Sequence, residues 1–390
     1  MTCYQDYLYL CRMSLILKQF INLLQLLLLS TLIFSCKKDS SVSDSDHIVI
    51  IGKGNVYGQR DAPRINLLWT DKGLSTDFIS NNLGEVNITG VHISPAKNNV
   101  STLNYIGSVQ ISGKNRVVYY INGERKLLSE LAGVKLTIFM DEIISSTITD
   151  KFGNTYVYCT SDNYNSFYFY KISYDEKITV TKITTYISAP IEGDDGIHMV
   201  RTADEKGTLS GVHVKEDNSS ESFSFNHDNS FNYIVEKCFF RNGKILFFVR
   251  TEKLRILNGY LLLTIDPRTG TAVQQNLNLP GSNLVFSEGI MRNNMIYIAG
   301  FTNNINKPFY ISIDTDDHSQ NLNVHTDYLE INTEHRYGSA SHIVLKGSKV
   351  FVSGLSGENA YETCYWVNGK RISLAHPDNF TTYPVSMLVY

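Results

Sequence analysis

Near copies of one short stretch stand far apart in this chain. Residues 119–129 read YYINGERKLLS, and residues 365–375 read YWVNGKRISLA. In both copies an Asn-Gly pair separates two runs of strand-forming residues. This is the strongest short-range signal for a β-hairpin, because both central residues of a type I′ turn need a positive φ. A repeat constrains the fold more than any other feature, since similar units must pack together to bury a common core.

The repeated unit predicts four strands. Its clearest copy contains HIVL at 342–345, VFVSG at 350–354, TCYWV at 363–367 and RISL at 371–374, with a turn or loop between successive strands. Seven units of about 50 residues can be counted, the first from DHIVIIGKGNVYG at 46–58, whose start matches SHIVL of the last unit. An aromatic residue marks the third strand of five units: Trp69, Tyr120, Tyr170, Tyr310 and Trp366.

The segment YPVSMLVY, at residues 383–390, indicates how the units are joined, because it matches only the opening strand of a unit. Such a strand would pair with the first unit and close a ring without leaving an exposed sheet edge. A linear solenoid would instead need a polar cap at each end. We therefore predict an all-β fold, a seven-bladed β-propeller closed by the C-terminal strand, with a pair of β-sandwiches as the alternative.

Residues 1–35 predict an export signal. Arg12 and Lys18 precede an apolar run at residues 20–34, which is shorter than the roughly 20 residues that cross a membrane comfortably. The stretch LIFSCKKDSS resembles the bacterial lipobox. That resemblance implies that Cys36 becomes the first mature residue and carries acyl chains such as palmitate, which anchor the protein in a membrane. A simple buried cysteine is the alternative.

The segment that follows Cys36 has the composition of a tether. Residues 36–46 are polar and acidic after Lys37 and Lys38, which predicts a flexible linker before a propeller domain at 47–390. CKKDS also resembles lipoproteins of the Bacteroidota, in which a lysine followed by acidic residues just after the cysteine can direct export to the cell surface. This resemblance implies that the protein is lipid-anchored in the bacterial outer membrane and faces the cell surface. The periplasmic face of that membrane is the alternative location.

Charge and cysteine content exclude some functions. The net charge of −3, from 35 basic and 38 acidic residues, argues against a nucleic-acid partner. Three cysteines follow Cys36, each in an apolar strand-like setting, and an odd number favours free thiols over a disulfide framework: Cys159, Cys238 and Cys364.

The mature chain resembles uncharacterised seven-bladed propeller lipoproteins of the Bacteroidota. Their units read like Val-Tyr-Val-x-Gly and then Tyr-Trp-x-Asn-Gly-Lys, and residues 350–374 and 106–128 match this pattern. These motifs are structural. The resemblance implies the propeller fold and no particular activity or cofactor.

Histidines recur at one position when the opening segments of the units are aligned. The aligned residues are His47, His92, Thr147, His198, Cys238, Gly289 and His342. If this column faces the central channel, the four histidines are candidate channel-lining or ligand-binding residues, and neutral imidazole is a good ligand for zinc, copper or nickel. A half-buried strand position that tolerates a polar side chain would give the same pattern, so metal binding is left open.

Tyrosine and asparagine in the loops point to binding. Tyr164, in SDNYNSFYFY at 161–170, is the best single candidate for contact with a sugar ring or a protein partner, although a tyrosine can equally pack between blades. We expect a binding scaffold for a glycan or an envelope protein, without catalytic residues. The alternative is a polysaccharide-active hydrolase or lyase at the channel mouth, which the absence of a recognisable carboxylate pair disfavours.

Overall fold

The computed structural model describes residues 46–390 except for 57–63, 77–85, 98–99, 122–123, 135–140, 162–166, 184–188, 194–195, 206, 218, 282, 304–305, 332–336, 358–361 and 379. The predicted signal peptide, Cys36, most of the tether and Tyr164 lie outside the described residues. The described chain is almost entirely β, as predicted, with one short helix, α1 (Leu128–Leu131). None of the described helices is long and apolar enough to cross a membrane.

Twenty-eight strands are described. The first fifteen are β1 (Ile48–Val56), β2 (Ile65–Thr70), β3 (Gly73–Ser75), β4 (Asn87–Lys97), β5 (Val100–Ile111), β6 (Lys114–Ile121), β7 (Glu124–Leu127), β8 (Glu142–Thr149), β9 (Thr155–Ser161), β10 (Phe167–Ile172), β11 (Ile178–Ile183), β12 (Ala189–Gly193), β13 (Gly196–Glu205), β14 (Thr208–Lys215) and β15 (Ser220–Asn226). The others are β16 (Asn232–Arg241), β17 (Lys244–Lys253), β18 (Ile256–Ile265), β19 (Ala272–Asn278), β20 (Leu284–Arg292), β21 (Met295–Thr302), β22 (Pro308–Asp314), β23 (Asn321–Tyr328), β24 (Tyr337–Lys346), β25 (Lys349–Gly357), β26 (Glu362–Val367), β27 (Lys370–Ser373) and β28 (Phe380–Val389).

These strands form small antiparallel sheets in a β-propeller arrangement. Five sheets have four strands, in the hydrogen-bonded orders β28-β1-β2-β3, β4-β5-β6-β7, β8-β9-β10-β11, β12-β13-β14-β15 and β24-β25-β26-β27. The remaining sheet has eight strands, because β16–β19 and β20–β23 are joined by short parallel pairing of β19 with β23. When each half of this eight-stranded sheet is counted separately, the described strands form seven groups of four, which we number as the first to seventh units.

The first strands of the units contact one another around a ring. The order of contact is β28, β4, β8, β12, β16, β20, β24 and back to β28. Strand β28 pairs along the whole of β1, from Ile48 opposite Val389 to Val56 opposite Phe380. The prediction that the C-terminal strand closes the ring is confirmed, and closure removes the sheet edge that β1 would otherwise expose.

Two units begin differently from the prediction. The segment 46–58 was expected to contain a first strand, a turn and a second strand, but it contributes the single strand β1, the second strand of its unit. In the fourth unit β12 is the first strand, so the segment 196–215 provides the second and third strands. The tripeptide His-Ile-Val occurs in both the first and the last unit, and aligning the two copies assigned β1 to the wrong place in its sheet. A run of β-branched residues favours a strand without specifying the place of that strand in the sheet.

A β-bulge recurs in the first strands. Pairing with the second strand is interrupted once in β8, β16, β20, β24 and β28, and twice in β4, where the first interruption matches those of the other strands in position. In chain order, the residues at which pairing resumes after this bulge are Gly90, Ser146, Lys237, Gly289, His342 and Ser386. A bulge increases the local twist and changes the face to which the following side chains point.

The core lies between neighbouring sheets. The third-strand aromatic residues predicted from the repeat do lie on β2, β6, β10, β22 and β26, and each is at most 4% exposed: Trp69, Tyr120, Tyr170, Tyr310 and Trp366. Both tryptophans use their indole N–H as well, since Trp69 Nε1 donates to the carbonyl of Ala375 at 2.5 Å and Trp366 Nε1 to that of Glu330 at 2.6 Å. A buried indole is stabilised by such a partner.

A buried ion pair connects the second and third units. Arg116 Nε on β6 lies 3.0 Å from Glu142 Oε2 on β8, and their side chains are 9% and 1% exposed. Glu142 also accepts hydrogen bonds from the Tyr170 hydroxyl at 2.9 Å and from the backbone N–H of Val117 at 3.3 Å. A buried carboxylate is tolerated here because all of these donors compensate its lost hydration.

The three described cysteines are free thiols, as expected, with Cys159 and Cys364 buried and Cys238 half-buried.

Candidate binding site

The structure does not bring the seven aligned residues into one column. His47 immediately precedes β1, and His198 lies on β13, so both belong to second strands and the alignment is wrong for them. The remaining five do lie on first strands. However, they differ in their place relative to the bulge. Gly289 and His342 are the first residues paired after it, Thr147 and Cys238 lie one residue further along, and His92 lies two residues further along. The four histidines therefore occupy positions in their units that are not equivalent.

His92 is fully buried between the second and third units. Its Nδ1 lies 2.9 Å from the Thr155 hydroxyl, and its Nε2 has no hydrogen-bond partner among the described residues. Burial lowers the pKa of His92 to about 4, against the opposing charge of Glu176. The imidazole is therefore neutral at physiological pH.

His198 belongs to a pair of buried imidazoles in the fourth unit. Its Nδ1 lies 2.9 Å from Nε2 of His213, and its ring stacks on Phe240 with the centroids 3.5 Å apart. On the far side, His213 Nδ1 is 3.5 Å from the Glu221 carboxylate. Burial and the neighbouring His198 lower the pKa of His213, although Glu221 opposes the shift. Both rings thus contact side chains of the fourth unit and of the neighbouring fifth unit.

His342 connects three first strands. Its Nδ1 lies 3.1 Å from the carboxylate of Glu288 on β20, and it also bonds to the backbone of Pro384 on β28. Burial by itself lowers the pKa of His342, but the hydrogen bond and charge of Glu288 and the bond to Pro384 raise it overall above the ordinary value. Lys237, after the bulge of β16, has a pKa lowered by burial despite the charges of Glu236 and Glu288.

His47 is exposed and bonds to Asp71 Oδ2 at 2.5 Å. Among the residues that the structure describes, no group of three or more His, Cys, Asp or Glu side chains is arranged to hold a metal ion. The channel-lining and ligand-binding roles of His47, His92, His198 and His342 stay predictions.

The two ends of the propeller carry different features. Asp46, where the described chain begins, lies at the end formed by the turns between first and second strands, because Lys346 and Lys349 beside one of those turns contact its carboxylate at 3.4 and 2.9 Å. The opposite end is formed by the turns between second and third strands. In the fifth unit this second end has a projecting hairpin and a cleft.

The hairpin is the turn between β17 and β18. Leu254 and Arg255 occupy its two central positions with φ of 52° and 65°, and Leu254 and Ile256 are 85% and 70% exposed. Other tight turns of this chain, such as Asn242-Gly243, place Asn and Gly at positive φ. Two large residues in the left-handed region, with two exposed apolar side chains, are strained and unusual for a hairpin tip.

The cleft lies at the base of this hairpin and has a volume of about 350 Å³. Its lining comes from the start of β16, the end of β17, the start of β18 and the end of β19. Phe231, Tyr233 and Tyr260 line it with aromatic rings, of which Phe231 is half-buried and the two tyrosines are buried. The Tyr233 ring stacks on His227 at 3.7 Å between centroids. Pockets of this size with aromatic walls and a few polar groups are typical of small-ligand sites.

A second depression, of about 410 Å³, lies beside α1 and is lined by charged side chains as well as apolar ones: Ile111, Arg125, Lys126, Leu127, Glu130 and Leu131. It has no aromatic residue in its lining. We therefore treat the cleft of the fifth unit as the candidate binding site.

No motif in the sequence predicts this cleft. Its residues are separated by up to 46 positions, from Phe231 to Leu277, and meet only because four antiparallel strands end at the same edge of the sheet. The Asn258-Gly259 pair was the available signal. It does not form a turn here, because Asn258 is the extra residue of a bulge between β17 and β18.

Comparison with known proteins supports the fold and leaves the family open. No family model matches the chain, and no curated protein matches it. A puromycin-hydrolysing peptidase of Mycobacterium tuberculosis is similar in structure, with a TM-score of 0.51, 7% identity, and coverage of 87% of this chain and 54% of the peptidase.

Two other solved structures are more distant. YCF48 bound to D1 peptide has a TM-score of 0.47 and 12% identity, with 87% of this chain and 93% of YCF48 covered. A prolyl endopeptidase has a TM-score of 0.44 and 10% identity, with 76% of this chain and 43% of the endopeptidase covered. This chain thus spans about half the length of the two peptidases. The neighbours are β-propeller proteins, and the likeness is one of fold alone.

Proposed function

We propose that this protein is a lipid-anchored lipoprotein of the bacterial outer membrane whose propeller is a non-catalytic binding scaffold for a glycan or a protein partner. In this proposal it is a seven-bladed propeller lipoprotein of the Bacteroidota type, anchored through acylated Cys36. The observation that carries the proposal is the aromatic cleft of the fifth unit, at the propeller end opposite Asp46. A tether that leaves beside Asp46 would direct this end away from the membrane.

The environment of the histidines supports binding over catalysis. His342 bonds to Glu288 and Pro384, and His198 bonds to His213, so these rings are committed to contacts between strands. An envelope enzyme at the channel mouth would need an imidazole free to exchange protons with a substrate. The histidine-dependent enzyme is therefore the weaker proposal.

The anchor is tested by Cys36→Ala, with Ser40→Ala as the matched control in the tether. Cells expressing each full-length variant are separated into soluble and membrane fractions, and intact cells are treated with an external protease. We expect Ser40→Ala to stay in the outer-membrane fraction and to be protease-accessible, and Cys36→Ala to leave that fraction. An unchanged membrane distribution of Cys36→Ala would refute lipid anchoring through this residue.

A further inference from the structure

Among the residues that the structure describes, those that line the fifth-unit cleft are all uncharged. Its nine residues are Phe231, Tyr233, Thr251, Asn258, Gly259, Tyr260, Leu261, Asn276 and Leu277. Lys253 lies at the rim, with Nζ 5.6 Å from the centroid of the Phe231 ring. A phosphate, a carboxylate or an acidic sugar would be expected to meet paired arginine or lysine side chains inside its site. An uncharged lining of aromatic and amide groups instead matches a neutral, hydroxyl-rich ligand.

Gly259 differs from the other glycines in the strands of this protein. A Cβ at Gly107 would lie 2.7 Å from the carbonyl oxygen of Asn87, and a Cβ at Gly354 would collide with that of Ser339, so these glycines are required by packing. At Gly259 the nearest neighbour of such a Cβ is the Thr251 hydroxyl at 4.0 Å, and φ is not in the left-handed region. Neither packing nor backbone conformation requires this glycine.

The lack of a side chain at Gly259 leaves the middle of the cleft open. Glycine within a strand often marks a place where a ligand approaches the backbone closely. Gly259 is opposite Thr251 in the β17–β18 pairing, and Thr251 is opposite Tyr233 in the β16–β17 pairing, so these three residues lie side by side on one face of the sheet. The flat surface over Gly259 can therefore receive the apolar face of a ring while Phe231 contacts it from the side.

The polar groups around this surface are held in position by hydrogen bonds. Thr251 Oγ1 donates to the carbonyl of Gly259 at 3.1 Å, Asn276 Nδ2 bonds to Asn321 Oδ1 at 3.2 Å, and the Tyr233 hydroxyl bonds to Gln274 Oε1 at 3.0 Å. Asn258 and Asn276 are nevertheless exposed. An amide offers both donors and acceptors, which suits the hydroxyl groups of a sugar, and fixed side chains lose little conformational entropy on binding.

We propose that the fifth-unit cleft is a carbohydrate subsite that binds a neutral sugar ring over Gly259. The ring's C–H face packs against Gly259 and Phe231, and its hydroxyl groups bond to Asn258 and Asn276. This inference rests on the proposed scaffold function and narrows it from a glycan or protein partner to a neutral glycan at one cleft.

The test uses the full-length chain purified in mild detergent and an array of neutral and acidic oligosaccharides, followed by titration calorimetry with the best neutral ligand. Gly259→Trp fills the cleft, and Val273→Trp adds the same side chain to an exposed site of the same unit outside it. Asn258→Ala removes an exposed amide and little else. Circular dichroism and thermal unfolding check that each variant is folded.

We expect the wild type and Val273→Trp to bind a neutral oligosaccharide equally, Gly259→Trp to bind none, and Asn258→Ala to bind about tenfold more weakly, the loss of about one hydrogen bond. If Gly259→Trp fails to fold, the Asn258→Ala titration decides alone. Binding of neutral sugar that neither variant changes would overturn the subsite and leave the scaffold function standing. Binding only to acidic sugars would overturn the neutral-sugar assignment and leave a glycan-binding scaffold standing. Binding to no sugar would overturn the subsite, and the scaffold function would then require a protein partner.

Discussion

Replacing His92 should remove a measurable part of the pH dependence of stability. The side chain is fully buried, and its pKa is about 4 in the folded protein, against about 6.5 for an unfolded histidine. Because the unfolded chain binds a proton more readily, the free energy of unfolding falls as the pH drops from 6.5 towards 4. Linkage gives a loss of about 2 kcal/mol between pH 7 and pH 4.5 from this one group.

His92→Asn is the informative change, because an asparagine Nδ2 takes roughly the place of the ring Nδ1 beside Thr155 but does not titrate. Urea unfolding at pH 7 and pH 4.5 can be followed by fluorescence, since both tryptophans of the chain are buried. The exposed His47 provides the control, as His47→Asn.

We expect the variant to be less stable than the wild type at pH 7, because the smaller side chain leaves a cavity. On going to pH 4.5 the variant should lose about 2 kcal/mol less than either the wild type or the His47 control, and all other titrating groups cancel in this difference. Equal losses in all three proteins would refute the assignment of a depressed pKa to His92.

Three further results are expected. Glu142→Ala should cost about 3–5 kcal/mol in urea unfolding, because it leaves a buried arginine unpaired, whereas Glu124→Ala, in an exposed ion pair, should cost less than about 1 kcal/mol; similar values would contradict the burial argument. Leu254→Asn with Arg255→Gly should raise stability by about 1–2 kcal/mol by relieving two positive φ angles, and a lower melting temperature would disprove strain at this turn. Deleting residues 380–390 should abolish the cooperative thermal transition, because β1 would lose its partner; a retained transition would show that closure is dispensable.

Much of the architecture follows from local pattern. The Asn-Gly turns, the alternating runs and the third-strand aromatic residues are properties of neighbouring residues, so the four-stranded unit could be predicted without the structure. Trp69 and Trp366 are examples, since both lie on third strands as predicted and both are buried. Because a ring of sheets must be closed, the sequence also predicted that residues 383–390 pair with the first unit.

The place of a strand within its sheet could not be predicted in the same way. His47 and His198 were assigned to first strands because their surroundings resemble those of His342, yet β28 and β12 occupy those positions. A strand of β-branched residues suits any position in a half-buried sheet, and only pairing with distant segments decides between them.

The sequence by itself determined the all-β class, the repeated four-stranded unit and the aromatic residues of its third strand, because these depend on backbone preferences over a few residues. Only the tertiary structure decided which residues share an environment. Strand order and the bulges place the four histidines at positions that are not equivalent, and four strand ends of one unit bring Phe231, Asn258, Gly259 and Asn276 to one cleft. Such contacts depend on register and twist summed over whole strands, and these are fixed by packing between units.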